Sequence, residues 1–103
     1  MNTSDQYVEI ARFKTKAGFT HEDFLKAEEK VRQGMLKTFP GYLSRELYRS
    51  EEGEWVVILR FSDKASMDAL IETLRLDPDE SFKDYGSMID RATMRLDFVW
   101  MQR

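Results

Sequence analysis

Hydrophobic residues recur along this chain with two different periods, and the order in which those periods alternate leaves few folds open. From Tyr7 to Lys16 the alternation is every second residue, with Tyr7, Glu9, Ala11 and Phe13 on one side and Val8, Ile10, Arg12 and Lys14 on the other. That is the pattern of a strand. From Phe24 the spacing lengthens to that of a helix, with Phe24, Ala27, Val31 and Met35 in one stripe and Leu25, Leu36 and Phe39 beside it. Thr20 and Asp23 have capping-box spacing, and Phe19 is placed to staple against Phe24. Pro40-Gly41 is the expected stop, because proline denies the next turn a donor.

Alternation returns over Tyr42 to Ser50 and again over Glu54 to Phe61. Glu51-Glu52-Gly53 joins them, and its glycine can take the left-handed conformation that a hairpin of this length needs. Ser62-Asp63 supplies the next cap, ahead of Met67, Leu70, Ile71 and Leu74 at the spacing of one helical face. Asp77-Pro78 with Glu80 predicts a third, short helix that has proline in its first position and carries Phe82, Tyr85 and Ile89. Thr93 to Met101 closes the chain as a strand, with Met94, Leu96, Phe98 and Trp100 opposed to Thr93, Arg95, Asp97 and Val99.

The resulting order, β-α-β-β-α-(α)-β, is the split βαβ arrangement. It predicts an α+β ferredoxin-like fold, a four-stranded antiparallel sheet with its helices on one face, and one domain over residues 1–103. Helices cover only one face of such a sheet, yet most of the strands offer apolar residues to the other. A second copy of the same sheet is the simplest cover, so the chain is expected to form a homodimer.

Composition removes several classes of function. The net charge of −3 gives no general attraction to phosphate backbones or anionic lipid, so neither nucleic acid nor a membrane is an expected partner. No run approaches the ~20 apolar residues of a membrane span. Met1-Asn2-Thr3-Ser4-Asp5 lacks the pattern of a secretory signal, and the expected compartment is the cytoplasm. With no cysteine there is no thiolate nucleophile, iron–sulfur cluster or cysteine zinc site. No phosphate loop, dinucleotide fingerprint, hydrolase triad or paired metal-ligand spacing is present, and no metal is expected.

Three stretches carry a resemblance. They are Val8-Glu9-Ile10-Ala11-Arg12-Phe13 followed by Gly18, then Pro40-Gly41-Tyr42-Leu43-Ser44-Arg45-Glu46-Leu47, then Gly53-Glu54-Trp55-Val56-Val57-Ile58-Leu59-Arg60-Phe61 ahead of an acidic helix start. In order and spacing the chain resembles the antibiotic biosynthesis monooxygenase group of the dimeric α+β barrel superfamily over nearly its whole length. The resemblance implies the fold and the dimer. For activity it implies a range: cofactor-independent oxygenases, haem-degrading enzymes, isomerases, decarboxylases and proteins without assigned activity. The haem-degrading branch carries an asparagine where Ala11 stands, a tryptophan where Phe61 stands and a histidine on the later helix, whereas Phe82 to Met88 contains none. Haem wants an axial ligand of that kind, so no cofactor is expected.

By analogy with that branch, Glu9 lies on the helix-facing, pocket side of its strand. There it would either be desolvated and act as a base toward a phenol or activated carbon acid, or pair with an arginine such as Arg45 or Arg95. His21, the single histidine, is either an acid–base group or a solvated residue at the start of a helix. Trp55 and Phe61, with Tyr85 and Met67, either line an aromatic slot for a flat ligand or pack as core. Arg12, Arg60 and Arg95, with Asp97 and Glu46, are charges set within alternating strands and suit ion pairs that fix a register. The expected function is that of a monooxygenase-like protein binding a small flat apolar or aromatic molecule. The alternative is a non-catalytic ligand-binding or accessory dimer of the same fold, and an isomerase or decarboxylase is a third reading.

Overall fold

In the computed structural model, which describes residues 5–102, the elements follow one another as β1 (Tyr7–Thr15), α1 (His21–Gln33), a 3₁₀ turn (Met35–Thr38), β2 (Tyr42–Arg49), β3 (Trp55–Phe61), α2 (Lys64–Leu76), α3 (Glu80–Ser87) and β4 (Ile89–Trp100). The strands make one antiparallel sheet in the order β2-β3-β1-β4. This is the ferredoxin-like α+β fold. One face of β1 carries Tyr7, Ala11 and Phe13 into the core with Trp55, Val57, Leu59 and Phe61 of β3. The helices close over them with Phe24, Ala27 and Val31 of α1, Met67 and Leu70 of α2, and Tyr85 of α3.

Local chemistry fixes the ends of the elements. Thr20 and Asp23 form the reciprocal capping box, each side chain accepting from the other residue's backbone N–H at 3.0 Å. Asp63 accepts from Ser66 N at 2.8 Å to start α2. Ser50 and Glu54 close the hairpin, and Gly53 sits at φ 87° in its turn. Gly41 also has positive φ, and a Cβ there would land on Ser66 at the start of α2, so glycine is needed where β2 leaves the helix layer.

Three boundaries depart from the sequence reading. Helix α1 ends at Gln33, with Gly34 as its cap, and not at Pro40-Gly41. A Cβ on Gly34 would lie 3.2 Å from the Lys30 carbonyl oxygen and 3.4 Å from Ser81 Oγ, so the chain is pressed against α3 there. The 3₁₀ turn that follows still buries Leu36 completely. Helix α3 is capped by Asp79, which accepts from Phe82 N at 3.1 Å, and not by Asp77. Asp77 instead closes α2, its N–H donating to Thr73 O at 2.9 Å, which leaves Pro78 in the connection. Strand β4 begins at Ile89, because Ile89 and Asp90 pair with Thr15 and Lys14 before the register shifts, and pairing resumes between Arg95 and Arg12. Thr93 Oγ1 accepts from Lys14 N at 2.9 Å across that irregularity.

The face of the sheet away from the helices carries Val8, Ile10, Val56 and Ile58 in neighbouring positions. Ion pairs bracket this strip: Glu54 receives Arg95 at 3.0 Å and Arg12 at 3.8 Å, and Glu46 meets Arg60 at 3.6 Å. Among the described residues no helix is long and apolar enough to cross a membrane.

Candidate functional site

Between the sheet and helices α2 and α3 lies a cavity of about 180 Å³. Its floor is Glu9, Ala11 and Phe13 of β1 with Val57 and Leu59 of β3. Met67, Leu70 and Leu74 of α2 form the roof, and Phe82 and Tyr85 of α3 form one wall. Met94 and Leu96 of β4 and Ile71 of α2 stand at the side where exposure rises, with Leu96 48% and Ile71 41% accessible. The polar residues in this lining are Glu9, Arg45 and Tyr85.

The alternation of β1 puts Glu9 among apolar neighbours. Across the sheet its register partners are Phe98 on β4 and Leu59 on β3, and Leu59 in turn faces Arg45 on β2. Glu9 and Arg45 are therefore two strands apart on one row, a backbone separation of roughly 10 Å that their long side chains narrow. Burial pushes the Glu9 carboxyl above the usual carboxylate range, and the charge of Arg45 pulls it partly back.

Arg45 is itself buried, and so is Glu28 of α1, which holds it: Nε donates to Oε2 at 2.8 Å and Nη2 to Oε1 at 3.0 Å. Arg32 adds a third donor to Glu28 at 3.2 Å from the helix surface. The Arg45 guanidinium lies 5.0 Å from the centre of the Tyr85 ring. Burial alone would weaken the positive charge of Arg45, but Tyr85, Glu28 and Glu9 outweigh it and push its pKa up. Burial likewise pushes the Tyr85 phenol far up, opposed by Arg45 and assisted by Glu28 and Glu9, so Tyr85 remains a protonated donor.

Of the residues singled out in the sequence, Glu9, Met67 and Tyr85 meet in this cavity. Trp55 and Phe61 lie outside its lining. Trp55 packs on Phe24 at 4.6 Å between ring centres and under Arg49 at 4.5 Å, and Phe61 packs on Phe39 and Tyr42 at 6.3 and 6.2 Å. Both stand at the ends of β3, where α1 and the 3₁₀ turn fill the space above the sheet. His21 is also elsewhere: its Nδ1 is 2.6 Å from Arg49 Nη1, and its ring lies against Trp55. Among the described residues no three histidine, aspartate or glutamate side chains gather as a metal site requires. Glu28 escaped the sequence reading although a signal was present. Phe24, Ala27, Glu28 and Val31 share one helical face, so an acid sits inside an apolar stripe.

The fold and this cavity define a class: a small α+β domain with a mostly apolar cavity between its sheet and helices beside a few buried polar groups. Residues 6–73 match the family described as antibiotic biosynthesis monooxygenase, and the chain belongs to that family. The match spans β1 to most of α2, and similarity to solved structures extends the fold through α3 and β4. SnoaB of Streptomyces nogalater, a cofactor-independent oxygenase solved in mutant form, superposes with a TM-score of 0.75 at 12% identity, covering 95% of this chain and 94% of that one. A conserved protein of Methanosarcina mazei Go1 gives 0.70 at 16% identity over 94% and 93% of the two chains. A nipsnap family protein of unknown function from Agrobacterium tumefaciens gives 0.67 at 20% identity over 95% and 89%. No protein of curated function matches the sequence.

Proposed function

We propose that the protein is a cofactor-independent monooxygenase for a small, flat, mostly apolar substrate bound between sheet and helices, with Glu9 as the base. The observation that carries this reading is a carboxylate with a raised pKa on the floor of a mostly apolar cavity that it shares with Arg45 and Tyr85. Family membership and the likeness to a cofactor-independent oxygenase support it. Glu9 takes a proton from an activated CH₂ or phenol, and the resulting electron-rich anion reduces dioxygen directly. For a CH₂ group the balance is CH₂ + O₂ → C=O + H₂O, and the substrate supplies the electrons. The protein's share is to exclude water, orient the ring system and accept the proton. Met67 and Tyr85 serve as walls.

Glu9→Gln should lower turnover of an activated polycyclic phenol by about a hundredfold or more, as loss of a general base does. Oxygen uptake in a closed cell is the readout. Full turnover by the variant overturns the role of Glu9; product without oxygen uptake makes the protein an isomerase or decarboxylase; binding without product makes it a carrier. Wild-type activity should rise with pH through the raised pKa of Glu9, because only the ionised form is a base. Stability runs the other way. The folded state holds the Glu9 proton more tightly than the unfolded chain, so stability falls as pH climbs from the ordinary carboxylate value through the raised one. Thermal unfolding should show Glu9→Gln losing that part of the decline.

The partner we infer is a second copy of this chain, seated on the open face of the sheet. Ile10 and Ile58 make a half-buried apolar strip with Val8 and Val56, which neighbouring side chains already bury, and the bracketing Arg–Glu groups give a two-fold copy complementary charge at either end. Sedimentation equilibrium should return twice the 12.2 kDa chain mass. A mass of one chain at tens of micromolar would remove the dimer.

A further inference from the structure

We propose that Arg45 and Tyr85 form an anion hole for an acidic hydroxyl on the cavity's ligand, with Glu28 as the positioning residue that aims the guanidinium. The ligand class is then a flat phenol or enol, not a plain hydrocarbon. The inference rests on the cavity being the ligand site, as read above, but not on any turnover there.

Glu28 takes one edge of the Arg45 guanidinium through Nε and Nη2, at 2.8 and 3.0 Å. That fork fixes the plane of the group and leaves Nη1 uncommitted to Glu28. Both residues are buried, Arg45 at 7% and Glu28 at 3% exposure, so neither can swing into water. Arg45 nevertheless lines the cavity, as does Tyr85, whose ring the guanidinium faces. Arg45 also reaches the Tyr85 oxygen as a hydrogen-bond donor, so the phenol O–H is left to donate elsewhere, and a fixed cation and a phenol lining the same space suit one oxygen anion.

Charge balance points the same way. Around this corner Arg45 and Arg32 supply two positive charges against the one negative charge of Glu28. Glu9, held toward its neutral form by burial, is the group that can complete the balance. A ligand O–H that loses its proton to ionised Glu9 keeps the electron pair on its own oxygen as the new O–H bond forms on Glu9. The site's total charge is unchanged, so the transfer buries no new charge; the negative charge only moves from Glu9 to the ligand, where Arg45 and Tyr85 meet it. Helix α2 contributes only apolar side chains here, including Met67, Leu70 and Leu74, which suit the flat body of such a ligand.

The test uses 4-nitrophenol, whose anion absorbs visible light, with the full-length protein carrying Glu9→Gln. This variant removes the competing carboxylate and leaves the hole intact. Bound probe should ionise as an acid about tenfold stronger than free probe, or more, since a hydrogen bond to an ion is worth that much. In the same background Tyr85→Phe keeps the ring and should lose about tenfold of the gain. Glu28→Gln should lose part of it, by releasing the aim of Arg45. Arg45→Gln should lose most of it, and Arg45→Lys, which keeps the charge without the fork, should retain part and stands in for Arg45→Gln should that variant not fold. The proposal is overturned by a probe no more acidic in the protein than in water, by equal acidity in Tyr85→Phe and its parent, or by no binding at millimolar probe. Early ionisation of the probe in Glu9→Gln, with wild-type protein that consumes no oxygen on an activated polycyclic phenol, would sink the oxygenase reading and keep the hole; oxygen consumption by the wild type with an unshifted probe would do the reverse.

Discussion

Removing the Glu28 carboxylate should destabilise the protein by about 3–5 kcal/mol, the usual consequence of leaving a buried cation without its partner. Glu28→Ala deletes both hydrogen bonds to Arg45 and the one from Arg32, and Arg45, at 7% exposure, has no route to water without opening the helix layer. Alanine is a better helix former than glutamate, so a measured loss would come in spite of a local gain in α1. The double variant Glu28→Leu with Arg45→Met should behave differently. It removes both charges and fills the space with apolar groups, so it should fall within about 1–2 kcal/mol of wild type or above it, because the pair's desolvation cost disappears with the pair. Urea unfolding with linear extrapolation reads both. A loss below about 1 kcal/mol for Glu28→Ala would mean that Arg45 finds another partner, and the aiming role given to Glu28 would fall with it. The double variant also separates stability from binding: it should fold and yet fail to ionise a bound phenol.

The strands were legible because alternation has a simple physical cause: each half-buried strand must sort its residues into two faces. Tyr7, Ala11 and Phe13 went into the core as their spacing required, and the hairpin at Gly53 closed where its glycine stood. The end of α1 was not legible, because Met35 and Leu36 continue the helical rhythm past Gly34 and a 3₁₀ turn buries Leu36 just as a helix would. Two adjacent caps, Asp77 and Asp79, competed for α3, and spacing alone could not show that Asp77 was already closing α2. At the site, periodicity could place Glu9 on the inner face but could not say which inner aromatics face open space. Trp55, Val57, Leu59 and Phe61 share one face of β3, yet only Val57 and Leu59 lie beneath the cavity. The Arg45–Glu28 pair joins residues 17 apart on different elements, and such a pairing is set by how α1 docks on β2. What the sequence did hold was the oddity itself, an acid within the apolar stripe of α1.

Phe24→Ala should cost about 3–5 kcal/mol and should lower any activity of the cavity beyond what the lost folded fraction explains. Phe24 is fully buried in α1, and its ring is shared by three others: Trp55 at 4.6 Å, Tyr85 at 5.3 Å and Phe13 at 5.7 Å between centres. Truncation removes the burial of the ring and leaves a void at that junction, and the void cannot collapse without moving β1, β3 or α3. Against a total stability of about 5–15 kcal/mol for a domain of this kind, the loss is a large fraction. The consequence for the cavity follows from Tyr85, whose ring packs on Phe24 and Phe13 and also meets the Arg45 guanidinium. With Phe24 gone, Tyr85 can tilt into the void and carry its hydroxyl away from Arg45. Phe24→Leu, which fills most of the space, should recover most of the stability but not the flat surface that holds the Tyr85 ring. Unfolding free energy and the acidity of bound 4-nitrophenol should therefore separate in the leucine variant, with the first near wild type and the second reduced. If both return to wild-type values together, the aromatic stack serves packing alone, and Tyr85 keeps its place without Phe24.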